Sequence, residues 1–336
     1  MKHDMILLDH GSGGRLSHDL IRSLFLPEFS NDLLNQLDDS AVIELNGLRL
    51  AFSTDSYVVD PIFFPGGDIG SLAVHGTVND LAMRGAKPLC LSAAFIIEEG
   101  FPAAHLTIIA QSMRRAAQDA EVTIVTGDTK VVPKGAMDKI FINTAGIGIV
   151  DPGINISGHN AKPGDMIVLS GMIADHGITV LTCREGLRFD TSLRSDSAPL
   201  NGLVAEMLGV SHKINVLRDP TRGGLGTSLN EIAEQSQTGM ILYENDIPVR
   251  DEVRGACELL GLDPLYLANE GKLVACISAE DADKVLDRMR KNPYGKDSCI
   301  IGEVTAEHPG RVVMRTGIGG TRIVDMLTAE PLPRIC

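Results

Sequence analysis

Residues 151–164, DPGINISGHNAKPG, gather proline, glycine and asparagine without apolar periodicity, while strand and helix patterning runs on both sides of them. A chain of 336 residues exceeds what one compact core usually absorbs, so a break at this point divides it into two α+β units. The spacing gives a glycine-rich segment and helix over 1–40, a first domain over 41–150, a linker over 151–164, a second domain over 165–326 and a flexible tail over 327–336.

In the first domain AVIEL and LRLAFSTDS read as strands, and apolar residues three and four apart predict a helix from about Ile69 to Met83. PLCLSAAFII is a strand. A helix follows with Pro102 in its first turn and Leu106, Ile109, Ala110, Met113 and Ala117 on one face. VTIVTG and KIFINTAGIGIV complete a β-β-α-β-α-β-β order, which suits a mixed sheet with helices on one face. The second domain restarts with MIVLSG and a helix near Asp175. Helices are predicted around 196–209, 224–236 and 280–291, and strands at GMILYE, KLVACIS, SCIIGEVT and RVVMR.

The net charge of −14 disfavours phosphate backbones, which excludes nucleic acid as a partner. No stretch approaches the roughly 20 apolar residues of a membrane helix, and the start is too short in apolar residues for a signal peptide. A cytoplasmic protein is expected. Six cysteines show no metal-type spacing, and five of them (Cys90, Cys183, Cys257, Cys276 and Cys299) read as small buried hydrophobes in a reducing compartment.

Four constellations carry possible chemistry. HGSGGR places Gly11, Ser12, Gly13 and Gly14 before the helical run LSHDLIRSLF, where backbone amides can face an anion or merely turn the chain. Acidic residues recur at expected strand ends and turns of the first domain: Asp38 and Asp39, Asp55, Asp80 beside Asn79, and Asp128 after Gly127. Each alone suits a turn or cap, but together their hard oxygens suit Mg²⁺ shared with phosphates. Lys130 is placed to put a point charge on a phosphate or to sit on the surface. RDPTRGGL, with Asp219 and Arg222, and ANEGK, with Glu270 and Lys272, offer a general base, a metal ligand or solvated loop charge.

The fourth constellation is LTAEPLPRIC. Pro331 and Pro333 lack amide donors, so the segment reads as an extended, semi-rigid arm that carries the thiol of Cys336 away from any core.

HGSGG, STDS, VNDLA, GDTKVV, DPTRGG and NEGK occur in the order seen in the aminoimidazole ribonucleotide synthetase (PurM)-like superfamily, and across essentially the whole chain the sequence resembles that group. The terminal PLPRIC resembles one branch, the hydrogenase-maturation carbamoyl dehydratases, whereas HGSGGR lacks the Cys or Sec and Lys expected of selenophosphate synthetases. The resemblance implies a two-domain α+β fold. Its first, ferredoxin-like domain would bind ATP and pair its sheet in a homodimer, and its second would be an α/β sandwich. It implies that a carbamoyltransferase, HypF, loads Cys336, and that ATP with Mg²⁺ then activates the carboxamide oxygen as an iminophosphate, which collapses to a thiocyanate. The cyanide would pass to a HypC–HypD complex for the nickel–iron centre. By position Asp38, Asp39, Asp55, Asp80 and Asp128 resemble metal ligands. Gly11 to Gly14, Asp55, Asn79, Asp80, Gly127 and Asp128 fall at nucleotide positions, and Cys336, Glu270 and Lys130 at catalytic ones. The alternatives are a superfamily enzyme acting on a soluble small molecule, and a non-catalytic thiol carrier.

Overall fold

The computed structural model describes residues 5–184, 192–328, 332 and 334–336. Pro331 and Pro333, on which the extended-arm reading rests, lie outside the described residues.

The predicted N-terminal helical run forms as α1 (Arg15–Leu20), a π-helical turn Ile21–Phe25 and α2 (Leu26–Phe29). The first domain follows as β1 (Ala41–Leu45), β2 (Leu48–Tyr57), a short hairpin of β3 (Phe63–Phe64) and β4 (Gly67–Asp68), α3 (Ile69–Met83), β5 (Ala86–Glu98), α4 (Ala103–Asp119), β6 (Thr123–Val132) and β7 (Ile140–Val150). Its five-stranded sheet has the order β1-β2-β7-β5-β6. Only β5 and β6 run parallel, so the sheet is mixed as expected.

Helix α3 starts where Asp68 accepts from the amides of Gly70 and Ser71, at 2.8 and 3.0 Å, and so satisfies two otherwise orphaned donors. Nearly every side of it is buried. It packs on β2, β5 and β7 and also touches α4 and the second domain, so a helix apolar all round is what this position requires. Among the described residues nothing covers the opposite sheet face: Phe52, Ile96 and Ile147 are exposed there.

The second domain runs β8 (Asp165–Leu169), α5 (Asp175–Thr182), α6 (Asn201–Leu208), β9 (Ile214–Arg218), α7 (Gly224–Ser236), β10 (Gly239–Tyr243), α8 (Asp251–Leu260), β11 (Val274–Ser278), α9 (Ala279–Met289), β12 (Cys299–Thr305), β13 (Val312–Arg315) and β14 (Thr321–Val324). Its seven-stranded sheet has the order β14-β13-β10-β12-β8-β11-β9. The helix predicted from 196 begins only at Asn201, because the preceding residues run irregularly against the first domain. Helix α8 and strands β9 and β14 were not anticipated from the sequence.

Buried apolar side chains form three clusters, and two of them span both domains. The first also takes in Leu332 and Ile335 of the tail, with Cys336 against it. The end of the chain is therefore not held away from the core, because two of its apolar side chains are buried there. Among the five cysteines expected inside, Cys257 and Cys276 are buried, Cys90 and Cys299 half-buried, and Cys183 exposed just past the end of α5. Among the described residues no helix is long and apolar enough to cross a membrane.

Candidate active site

The tail is pinned at both ends. Arg15 N donates to Leu327 O at 2.8 Å, and an added Cβ on Gly14 would lie 2.4 Å from that same oxygen, so only glycine admits the tail so close to α1. At the far end Val58 N donates to Cys336 O at 3.0 Å and Asp60 N to Arg334 O at 3.1 Å, while Arg334 Nε donates back to Val58 O at 2.8 Å. Residues 334–336 thus lie along 58–60 like an added strand, where main-chain bonds supply the grip. Arg334 also pairs with Asp138 at 2.6 Å and lies over the Phe141 ring. Leu332 and Ile335 contribute roughly 1.5–3 kcal/mol each by burial, which adds to the main-chain bonds that hold the tail.

Cys336 lines a cavity of about 160 Å³ with Gly11, Ser12, Ser56, Val58 and Arg222. The glycine loop packs onto Arg222: a Cβ on Gly13 would lie 2.5 Å from the Arg222 Cβ, and Gly13 has φ +93°. Ser17 closes the loop from beneath, accepting from Gly13 N and donating to His10 O, both at 2.9 Å. Gly11 alone faces open space.

Arg222 is the hub. Its pKa is raised first by Cys336, then by Asp55, Asp80 and Glu270. Asp55 lies 3.7 Å from it. Around this hub burial raises the carboxyls strongly. Asp39 is pushed up to about 6 despite Arg218 at 2.8 Å, and Asp219 to about 8 by burial and by Asp39. Asp80 is raised well above its ordinary value by burial, then by Asp219, Asp55 and Asp39. Glu270 is raised likewise by burial and by Asp196, and its Oε1 has no hydrogen-bond partner among the described residues. Burial is the first cause of each shift and the neighbouring carboxyls add to it, and among the described residues no three stand close enough to grip an ion as they are.

The expected site residues divide into those this cluster contains and those it does not. Asp39, Asp55, Asp80 and Glu270 belong to it, as do Asp219 and Arg222, whose roles the sequence leaves open. Asp80 and Asn79 lie inside α3 rather than at a turn. Asp80 Oδ2 accepts from Ser53 at 2.7 Å. Asn79 commits its amide to the protein: Nδ2 donates to Ala198 O and Glu270 O at 3.1 and 3.2 Å, and Oδ1 accepts from Leu200 N at 2.8 Å. It therefore holds the Glu270 backbone instead of standing open to a nucleotide.

Asp38 is a tie between domains. It pairs with Arg84 and accepts from Ser157 Oγ at 2.8 Å and Gly158 N at 2.9 Å. Gly127 and Asp128 lie within β6 rather than at a turn, and a Cβ on Gly127 would meet Ala93 O at 2.1 Å, so close strand pairing alone requires glycine there. Asp128 and Lys130 pair with each other at 2.8 Å, 61% and 69% exposed, opposite Ala94 and Ile96 on the open sheet face. Asp55 faces the other way, and the row Ser56–Asn143–Ala94–Asp128 puts Asp128 three strands from its neighbour, roughly 14 Å. Within one chain they do not meet the cluster.

The matching family descriptions lie in series: AIR synthase related protein, N-terminal domain, over residues 37–150, and AIR synthase related protein, C-terminal domain, over residues 162–315. Along its whole length the chain is 55% identical to carbamoyl dehydratase HypE of Azotobacter vinelandii, covering 98% of that protein. The chain belongs to the HypE family of carbamoyl dehydratases. A HypE solved in complex with ATP is similar with a TM-score of 0.83 at 54% identity, over 99% of this chain and 100% of that one. A chain of a HypE–HypF complex is similar with a TM-score of 0.88 at 51% identity, over 92% and 99%. Within this HypE-family site, Arg218, Asp196 and His176 carry contacts the sequence did not disclose. Arg218 stands directly before the noted DPTRGG; for the other two no local pattern marks the role.

Proposed function

We propose that this protein dehydrates an S-carbamoyl group on its own Cys336 to a thiocyanate at the expense of ATP, as a step in supplying cyanide to nickel–iron hydrogenase. The observation that carries the reading is the seat of the tail: Cys336 O accepts from Val58 N, and Cys336 lies in a cavity with Arg222, which Cys336, Asp55, Asp80 and Glu270 all attract. A tail in that seat is an intramolecular substrate, so orientation replaces diffusional encounter.

The residues fit a magnesium–nucleotide. Asp39, Asp55, Asp80 and Asp219 present hard oxygens around Arg218 and Arg222, and Gly11 leaves open space beside Arg222. When bound, Mg-ATP supplies the phosphoryl group that lets the carbamoyl oxygen leave as phosphate. The balance is RS–C(O)NH₂ plus ATP giving RS–C≡N, ADP, phosphate and a proton. The C–O bond and both N–H bonds break. Glu270 is the acceptor for the nitrogen protons: its Oε1 has no hydrogen-bond partner among the described residues, and burial raises its pKa and so its basicity. Arg222 holds the end of the tail by charge and offsets the repulsion between Asp55 and Asp80.

The open face of the first sheet, with Phe52, Ile96 and Ile147 exposed, supports a homodimer in which two such faces stack. A two-fold axis parallel to the strands would carry edge strand β6 of one subunit over the β1–β2 side of its partner's sheet. Asp128 and Lys130 then act at the partner's tail seat. In this reading the tail leaves its seat to meet HypF, returns for dehydration, and leaves again toward a HypC–HypD acceptor in the cytoplasm.

The test is the mass of the C-terminal peptide after incubation with the carbamoyltransferase, carbamoyl phosphate and ATP. A carbamoyl gain followed by loss of one water with hydrolysable ATP, and neither with Cys336→Ala, is expected. A peptide that stays unmodified while ATP is consumed moves the reading to a soluble substrate.

A further inference from the structure

One imidazole touches the tail itself. His176, in the first turn of α5, is fully buried, with its Nε2 2.8 Å from Ile335 O and its Nδ1 2.8 Å from Ser195 Oγ. A carbonyl can only accept, so Nε2 carries the proton and Nδ1 accepts from the serine. The bond to the tail therefore assigns the tautomer. Phe64 stands edge-on to the ring at 5.5 Å, and burial keeps the imidazole neutral.

The serine behind the ring is itself fixed. Ser195 N donates to Pro65 O at 2.8 Å, and Ser195 Oγ accepts from Ser197 N at 3.1 Å. A Cβ on Gly66 would meet the Ser195 backbone at 2.8 Å, so the β3–β4 hairpin is pressed against this segment. Between the two serines, Asp196 Oδ1 accepts from Glu270 N at 3.1 Å and Oδ2 faces Lys272 Nζ at 3.2 Å. His75 Nδ1 meets Ser197 Oγ at 2.9 Å. Three consecutive residues thus hold the ring that touches the tail and the backbone of the proposed base.

We propose that His176 is the positioning residue for dehydration: its Nε2–H fixes the Ile335 carbonyl, and the Ser195–Ser197 segment ties that seat to the placement of Glu270. The inference rests on the self-dehydration reading. It separates the two halves of the cycle, because a tail turned outward to be carbamoylated makes no use of His176.

The experiment compares His176→Gln and His176→Leu in the full chain. Both should bind Mg-ATP and accept the carbamoyl group at the wild-type rate. Dehydration should slow by about tenfold or more in the leucine variant, with partial recovery in the glutamine variant, whose amide can still donate. Equal and undiminished dehydration in both overturns the proposal. Where the buried substitutions prevent folding, Ser195→Ala, which frees the tautomer, serves for the same comparison.

An independent reading needs no activity. In the ¹⁵N-histidine-labelled wild-type chain, His176 should appear as the Nε2–H tautomer with a slowly exchanging proton. Arg334→Ala, which loosens the tail, should speed that exchange. An Nδ1–H tautomer, or exchange indifferent to Arg334, overturns the contact with the tail. Failure of wild-type chain to dehydrate at all would sink the self-dehydration reading while leaving this spectroscopic result to decide His176 separately.

Discussion

The backbone amide of Glu270 is bonded to Asp196 at 3.1 Å, yet the carboxylate of Glu270 keeps one oxygen without a partner among the described residues. Backbone fixed and head free is the arrangement a proton acceptor needs. Asp196 is also, after burial, the largest cause of the raised Glu270 pKa. Glu270→Gln should accept a carbamoyl group normally and lose dehydration by roughly 10²-fold or more, read by mass of the tail peptide.

Asp196→Asn tests the charge separately from the bond, since an amide oxygen still accepts from Glu270 N. Removing the negative charge, with Lys272 left in place at the same point, lowers the Glu270 pKa. A base works when ionised, so the rising limb of the dehydration pH profile should move to lower pH. A limb that stays in place would mean that Glu270 is not the base.

Asp80 is half-buried among like charges, and its side chain accepts from Ser53. Asp80→Asn removes repulsion from the ligand-free protein and a hard ligand from the nucleotide complex. The expected result is a higher melting temperature without ligand, together with Mg-ATP binding weakened at least about tenfold and loss of ATP hydrolysis. A thiol carrier with no catalysis of its own would keep its function in this variant.

Lys130 and Glu270 belong to separate places in one chain, and the dimer reading joins them across subunits. Lys130→Ala and Glu270→Gln homodimers should each be impaired, yet mixed dimers should regain part of the activity, because one of their two sites combines an intact Glu270 with a partner's intact Lys130. Mixing that restores nothing would place Lys130 on its own chain's site or outside catalysis.

What the sequence disclosed divides along physical lines. The order of elements was legible because apolar spacing along α4 and the β-branched runs of β6 and β7 are local signals. The aspartates were legible as residues but not as a set. TGDTK reads as a turn, yet Thr123–Val132 continues as one strand, which carries Asp128 and Lys130 to the open face away from Asp55. Asn79 looked like a ligand because its neighbour is one of the clustered acids, although its three bonds go to residues about 120 and 190 positions away. His176 and Ile335 are 159 residues apart, and nothing near either predicts their contact. The tail was read from its prolines as a free arm, whereas Leu332 and Ile335 decide its position by burial.

The carboxyl cluster also dictates how stability should depend on pH. Asp39 and Asp219 move from about 3.8 to about 6 and about 8 on folding, so between those values the folded chain keeps protons that the unfolded chain has lost. Their contribution is therefore greatest at low pH and is lost as pH rises through about 6 and then about 8. The buried histidines act oppositely: His75 drops from 6.5 to about 4 and His176 is also lowered, so acid below about 6.5 favours the unfolded chain. Above that pH both histidines are neutral in either state and the carboxyls act alone. Without Mg²⁺ or nucleotide, the melting temperature should fall from about pH 6.5 to about pH 8, and Asp219→Asn should flatten that fall. Mg-ATP binds the ionised form, so adding it should reduce or reverse the slope. Calorimetric scans at fixed ionic strength measure all three, and a ligand-free melting temperature that rises across this window would show that the aspartates are already compensated and have no need of a cation.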